Sequence, residues 1–182
     1  MSKIAKSDYF AGVFLSTILK SSKAVPILCD ASEGVKRILF ETDLGYFNTY
    51  VKYSTSQHQS FDRRDNQKRK KNYWSVNFTS KEYEYLTNDF SDKDKTNLVA
   101  IVCTNKDLTD TWIAVLTLEQ ALRCMNLTTA GGNRTITVTR IGREHRFTCT
   151  GTTPLSETLQ PQPYVNHLRY FDKVENNSIE DK

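Results

Sequence analysis

The sequence predicts an α/β (α+β) fold built around a central mixed sheet, and three observations carry that prediction. Residues 8–20 show the apolar spacing of an amphipathic helix. Residues 35–54 form two β-rich runs around a turn, which is typical of a long hairpin. Residues 97–103 (NLVAIVC) are continuously apolar, which is typical of a central strand covered on both faces. We expect a further helix between the hairpin and this strand, and a second hairpin near the C-terminus.

The N-terminal elements follow from spacing and turn residues. Ser7 or Asp8 can cap the first helix. Its predicted apolar stripe consists of Phe10, Val13, Phe14, Thr17 and Ile18. Residues 25–29 form a short apolar run, in which Pro26 indicates an edge strand. Residues 42–45 (TDLG) predict the turn between the two hairpin strands, with Gly45 supplying a positive φ.

In the middle of the chain, a polar segment is followed by a segment in which apolar and polar residues alternate. Residues 55–72 contain almost nothing apolar except Phe61, which predicts a long exposed loop. The next strand, 73–79, alternates cleanly. Thr79 and Glu82 then match a capping box, which opens a helix that runs to about Phe90.

The C-terminal third predicts a strand at 112–116, a short helix and a hairpin. Thr117 with Gln120 caps the helix, which ends near Met125. The hairpin pairs 134–141 with 146–150, and its inward residues are Ile136, Val138, Phe147 and Cys149. We therefore expect one α/β domain over 1–152, followed by a polar, partly disordered tail over 153–182.

Composition indicates a cytoplasmic protein with no membrane partner. No segment reaches the roughly 20 apolar residues of a membrane span, and the N-terminus lacks a signal-peptide cleavage site. The four cysteines show no metal-ligand spacing, and most lie in apolar runs, so we expect small buried hydrophobes. The sequence gives no indication of the oligomeric state.

The positive charge is concentrated in one segment. Residues 61–71 (FDRRDNQKRKK) hold six Lys and Arg against two Asp, a local balance of +4 that equals the net charge of the chain. Such a cluster repels itself unless a polyanion or an acidic partner neutralises it. The predicted nucleic-acid-binding residues, with DNA as the expected ligand, are Arg63, Arg64, Lys68, Arg69, Lys70 and Lys71. A second basic group comprises Arg134, Arg140, Arg143 and Arg146.

The element pattern over residues 8–125 resembles that of PD-(D/E)xK-type nucleases. The segments that carry the resemblance are TYVKYSTS, YWSVNFTSKEYEYL and NLVAIVCTNKDLTDTWIAVLTLEQAL. In that family a strand with (D/E/Q)-x-K leaves a hairpin and is followed by a helix and a buried strand. The resemblance implies phosphodiester hydrolysis with Mg²⁺ or Mn²⁺ held by two acids beside a lysine, and Lys52 matches that lysine.

The family's acidic motif is incomplete in this chain. Tyr50 stands where the acid or amide belongs, and the residue opposite it is about Arg37 or Ile38. The candidate catalytic and metal-binding acids of an active site are Glu41 and Asp43. They lie two to three residue pairs along the hairpin from Tyr50, or about 7–10 Å. The ordinary alternative is a solvent-facing lysine and two turn acids.

Three functions remain open, and the first is preferred. The protein binds nucleic acid on a nuclease-like scaffold with a degenerate catalytic site and no cofactor. Alternatively, it is an active metal-dependent phosphodiesterase, a DNA endonuclease that uses Mg²⁺ or Mn²⁺ at Lys52, Glu41 and Asp43. The third alternative is a non-enzymatic interaction protein whose basic segment binds an acidic protein partner.

Overall fold

The fold is α+β with a central mixed sheet, which confirms the predicted fold class. A computed structural model describes residues 4–21, 25–30, 36–62, 69–129, 131–142 and 147–152. Within these residues the elements are, in chain order, α1 (Lys6–Ser21), β1 (Val25–Asp30), β2 (Lys36–Thr42), β3 (Gly45–Ser54), β4 (Gln57–Asp62), β5 (Arg69–Phe78), α2 (Ser80–Asn88), β6 (Thr96–Thr104), β7 (Thr111–Thr117), α3 (Leu118–Cys124), β8 (Arg134–Ile141) and β9 (Thr148–Thr150).

The larger sheet has five strands in the order β1-β2-β3-β6-β7. Its pair β3–β6 is parallel and its other neighbours are antiparallel. A parallel pair needs a long crossover, which β4, β5 and α2 provide here. Every residue of β6 from Leu98 to Thr104 is buried, as the apolar run predicts. Pro26 lies in the edge strand β1, where its missing N–H is tolerated.

The β2–β3 hairpin has the predicted turn and register. Thr42 pairs with Gly45 across the two-residue turn, and Gly45 has φ +117. Tyr50 lies opposite Arg37, one of the two partners predicted by counting from the turn. On one face of the sheet, α1 packs against β2, β3 and β6. Phe10 of α1 stacks on Tyr53 with ring centroids 4.4 Å apart.

The second sheet is antiparallel, with four strands in the order β4-β5-β8-β9. Its hairpin β4–β5 occupies most of the segment predicted to be a loop, so that prediction is wrong for residues 57–62 and 69–72. Because β4 is an edge strand, it can be polar throughout, and its sequence shows no apolar alternation. Its partner β5 contributes Trp74, Val76 and Phe78 to the core. Trp74 Nε1 donates to Thr104 O at 2.9 Å, which joins the two sheets.

Both predicted capping boxes are present. Thr79 Oγ1 accepts from the N–H of Glu82, and the Glu82 carboxylate accepts from the N–H of Thr79. Thr117 and Gln120 make the same reciprocal pair at the start of α3. These bonds satisfy N–H groups that would otherwise lack partners at the helix ends.

The C-terminal end of α3 is closed by the residues that follow β9. The N–H of Thr152 donates to Cys124 O at 3.2 Å, and Thr152 Oγ1 accepts from the N–H of Thr135 at 2.9 Å. Between these contacts the backbone of Gly151 lies directly against the carbonyl group of Cys124. One short segment thereby ties the end of α3 to the start of β8.

The buried cysteines behave as the sequence predicts. Cys103, Cys124 and Cys149 are free thiols with at most 1% exposure. Burial raises the pKa of Cys124 to about 11 and raises those of Cys103 and Cys149 as well. The side chain of Cys29 lies outside the described residues.

We expect these thiols to resist labelling in the folded protein, because a thiolate is the reactive form and burial suppresses it. In a Cys29→Ser variant, a thiol reagent such as DTNB should label three groups in denaturant and essentially none in native buffer. Rapid labelling without denaturant would contradict the buried placement.

None of the helices in the described part of the chain has the length and apolar character to cross a bilayer. Residues 153–182, predicted to be a tail, lie outside the described residues, so the division at residue 152 stays a prediction.

Candidate functional site

Lys52, the predicted catalytic lysine, lies in a small polar cluster between β3 and the start of α2. Tyr50 and Lys52 lie two residues apart on β3 and point to the same face. Lys52 Nζ donates to Glu82 Oε1 at 2.5 Å and to Asn77 O at 2.8 Å. The Tyr50 hydroxyl donates to the same Glu82 oxygen at 2.8 Å. One oxygen of Glu82 therefore accepts hydrogen bonds from two side chains of β3, while its other oxygen accepts from the N–H of Thr79 and so caps α2.

The cluster is partly withdrawn from solvent, with 20% of the Lys52 side chain and 17% of the Glu82 side chain exposed. Burial acts to raise the pKa of Glu82, but hydrogen bonds from Lys52, the Thr79 backbone and Tyr50 outweigh it and lower the pKa. Burial lowers the pKa of Lys52, and its bond to Glu82 offsets only part of that shift. Burial, followed by the charge of Glu82, raises the pKa of Tyr50. We take Glu82 as the ionised centre of the cluster because it accepts from several donors.

Glu41 and Asp43 lie away from Lys52, and Glu41 is four residue pairs from Tyr50 instead of the two to three expected from sequence. Glu41 is opposite Tyr46, and Asp43 lies in the turn beyond it. Tyr46 precedes Lys52 by six residues on β3, which corresponds to about 20 Å along the strand. Both acids are exposed. The structure thus does not assemble the predicted set of Lys52 with Glu41 and Asp43.

Glu82 was predicted only as a helix cap, and sequence reasoning missed its contact with Lys52. Lys52 contacts one carboxylate among the residues that the structure describes, and it is that of Glu82. In the same residues no group of three or more His, Cys, Asp or Glu side chains is placed to hold a metal ion. A two-carboxylate metal site at Lys52 would need a second acid that these residues do not bring there.

A second functional candidate, which we call the basic end, is the end of the four-stranded sheet that bears Arg69, Lys70, Lys71 and Arg140. Across β4–β5, Lys70 lies opposite Phe61 and Lys71 opposite Ser60. Across β5–β8, Lys71 lies opposite Ile141 and Asn72 opposite Arg140. The N–H of Gly142 also donates to Lys70 O at 2.7 Å. Two basic stretches that are far apart in sequence therefore meet here.

The charge of these two stretches exceeds that of the whole protein. Residues 61–71 hold six Lys and Arg against two Asp, and residues 140–146 hold three Arg against one Glu. Together they carry +6, so the rest of the chain carries −2 for its total of +4. Three predicted binding residues of the first stretch lie outside the described residues: Arg63, Arg64 and Lys68.

Arg140 is held at the basic end by aromatic contacts. Its guanidinium carbon lies 3.7 Å from the ring centroid of Trp112 on β7, close enough for a strong cation–π contact. Trp112 in turn meets Phe147 edge to face at 6.2 Å. The sequence gives no signal for this arrangement, because the three residues come from different strands or turns.

The basic end and the Lys52 cluster lie at opposite ends of β5. Lys52 binds the carbonyl of Asn77, which follows Lys70 by seven residues, or about 23 Å of extended strand. The basic segment connects the strand of Lys52 to the strand of Trp74, which suggests from sequence that it adjoins Lys52. In the structure, the described cations of this segment lie at the far end of the β4–β5 hairpin from Lys52.

Comparison with known proteins gives no match to a family model, to a curated protein or to a solved structure. The resemblance to PD-(D/E)xK-type nucleases therefore stays a prediction from the sequence pattern. The chemistry of the two sites determines function, since a scaffold alone does not specify it.

Proposed function

We propose that this protein binds nucleic acid through the basic end, on a nuclease-like scaffold with a degenerate catalytic site. One observation carries the proposal: pairing of β5 with β8 brings the basic stretch before Asn72 and the basic stretch after Thr139 to one end of a sheet. Like charges gathered in this way repel each other, and that repulsion is relieved by a polyanion. A phosphate backbone supplies regularly spaced negative charge and releases counterions on binding.

The order of elements around Lys52 supports the nuclease-like scaffold. The strand that bears Lys52, β3, leaves the β2–β3 hairpin, and α2 precedes the buried strand β6, which lies parallel to β3. This order agrees with the one on which the resemblance rests, except that the β4–β5 hairpin stands where the sequence predicted a loop. Support for a degenerate site comes from Tyr50, which occupies the acid position, and from Glu82, whose carboxylate is already engaged by Lys52 and Thr79.

Salt dependence tests the binding proposal. We expect affinity for a labelled DNA oligonucleotide to fall steeply as salt rises, because each phosphate contact releases counterions. Replacing Lys70 and Lys71 with Ser should weaken binding roughly tenfold at moderate salt and lower the log–log salt slope by about 1.5. Fluorescence anisotropy over a salt series measures both quantities.

The matched control replaces Lys81 and Lys93 with Ser, since both side chains are exposed and lie on or just after α2. This variant has the same net charge as the Lys70 and Lys71 variant but keeps the basic end. We expect it to retain the affinity and slope of the parent protein. No binding at low salt, or binding that ignores salt, would overturn the proposal and favour an acidic protein partner.

Catalysis is tested separately with a supercoiled plasmid. We expect no cleavage with Mg²⁺ or Mn²⁺, because Lys52 contacts a single carboxylate within the described residues. Cleavage that requires the metal and is abolished by Lys52→Ala would overturn the degenerate-site proposal and establish the endonuclease alternative.

A further inference from the structure

The solvent face of the four-stranded sheet carries a pair of stacked rings beside the basic end. His58 on β4 lies directly opposite Tyr73 on β5. Their ring centroids are 5.1 Å apart and their planes differ by 21°, which is a stacked geometry. His58 is exposed and Tyr73 is half-buried. The pair therefore presents aromatic surface at the sheet edge, with a neighbouring strand on one side only.

Cations share this face of the sheet. Side chains two residues apart on a strand point the same way at a spacing of about 7 Å, so Lys71 and then Arg69 follow Tyr73 in line. Ser60, opposite Lys71, adds a hydroxyl between the rings and the end of the strand. The face thus offers rings followed by the positive charge of Lys71, and beyond it Arg69 pairs with Asp62 across the hairpin.

Burial excludes most of the other aromatic side chains that flank the basic stretch in sequence. Phe47, Tyr50 and Trp74 are buried in the core. Tyr53 packs against α1, and Phe61 pairs with Lys70 on the opposite face of the hairpin. Tyr46 is 48% exposed but lies at the β2–β3 turn. Phe61 is 57% exposed and faces Lys70, whereas Tyr73 has a stacked ring partner, His58, and shares its face with Lys71.

This combination favours an unpaired strand over a duplex. In a duplex each base face is covered by its neighbours, so a protein ring reaches it only after unstacking. A single strand leaves base faces open, and aromatic side chains stack on them whatever the base. A lysine beside the rings can then bind a phosphate that flanks the stacked base.

We infer that His58 and Tyr73 form a stacking platform for an unpaired base and that Lys71 binds the adjoining phosphate, so that the ligand is single-stranded nucleic acid. This inference rests on the proposed function and specifies its ligand. DNA and RNA strands share the base faces and phosphates that such a platform recognises.

The test compares three labelled ligands of equal length: a DNA strand, its RNA counterpart and the blunt DNA duplex. We expect either single strand to bind more tightly than the duplex. Tyr73→Ala should weaken single-strand binding roughly tenfold and leave duplex binding unchanged, because stacking on one base is lost. Tyr73→Phe keeps the ring and should retain affinity. Tyr46→Ala is the matched control, since it removes an exposed ring far from the platform.

His58→Ala provides a second variant in case Tyr73→Ala disturbs the sheet, because His58 is exposed on an edge strand. It should also weaken single-strand binding selectively. Equal affinity for strand and duplex, or affinity unaffected by both ring deletions, overturns the platform and leaves the proposed function standing. Absence of binding to all three ligands overturns the proposed function itself.

Discussion

Gly151→Ala should lower the free energy of unfolding by about 3 kcal/mol, because a methyl group has no space at this position. A Cβ added to Gly151 would lie 1.8 Å from the carbonyl oxygen and 2.5 Å from the carbonyl carbon of Cys124. Both are backbone atoms at the end of α3, so no side-chain rotation relieves the overlap. The segment would have to move, and Thr152 would then lose its bonds to Cys124 and Thr135.

Urea unfolding followed by circular dichroism measures this effect. Two other glycines serve as controls for the same substitution. Gly131 has its nearest atom 3.9 Å from an added Cβ, so Gly131→Ala should be close to neutral. Gly12 is an exposed helical position with no atom within 4 Å, and Gly12→Ala should stabilise α1 by up to about 1 kcal/mol. Unchanged stability of Gly151→Ala would disprove the close approach of this segment to α3.

Glu82→Ala should cost a comparable amount, about 3 kcal/mol, because one carboxylate makes three kinds of contact. The variant loses the capping box with Thr79, the ion pair with Lys52 and the acceptor for the Tyr50 hydroxyl. Lys52 would be left partly buried without its counter-charge, which is the costly way to break an ion pair. Partial exposure of the cluster keeps the loss below that of a fully buried pair.

The variant Glu82→Gln distinguishes the contribution of the helix cap from that of the negative charge. Glutamine at the third helical position can still complete a capping box, so this variant should lose about 1–2 kcal/mol. Glu84→Gln removes an exposed charge from the same helix and should change stability little. Equal unfolding midpoints for Glu82→Ala and Glu84→Gln would show that the cluster contributes nothing to stability.

The effect of Glu82 should also depend on pH. Its pKa in the folded protein lies below the ordinary value of 4.5, so the unfolded chain takes up the proton first as pH falls. The contribution is therefore complete at neutral pH and is lost on the acid side, from about pH 5 downward. The stability difference between the parent protein and Glu82→Gln should shrink over that range, as urea unfolding at several pH values can measure.

Local rules predicted the elements that have local causes. The turn at residues 42–45 predicted Arg37 or Ile38 opposite Tyr50, and the observed partner is Arg37. The side chains of Thr79 and Thr117 marked the two helix starts. The β4–β5 hairpin escaped prediction because a polar edge strand has no apolar alternation to reveal it. Its partner strand, not its own composition, makes residues 57–62 a strand.

The functional surfaces were harder to predict because they depend on contacts between distant parts of the chain. Glu82 was visible as a helix cap, but its contact with Lys52, thirty residues earlier, depends on how α2 meets β3. Arg140 was visible as one of several arginines. The pairing of β5 with β8 places it beside Asn72, and its contact with Trp112 depends on how the two sheets meet. The two basic stretches could be found in the sequence, but the sequence did not show that they meet at one end of a sheet.

The pairing of β5 with β8 also determines when the nascent chain can fold. Val76 pairs with Ile136, which is translated sixty residues later. In the described sheet β5 lies between β4 and β8, so until β8 leaves the ribosome the edge of β5 near Trp74, Val76 and Phe78 lacks its native neighbour. Open apolar edges promote association between chains. A chaperone that shields this edge during translation would therefore act in the interval between synthesis of β5 and synthesis of β8.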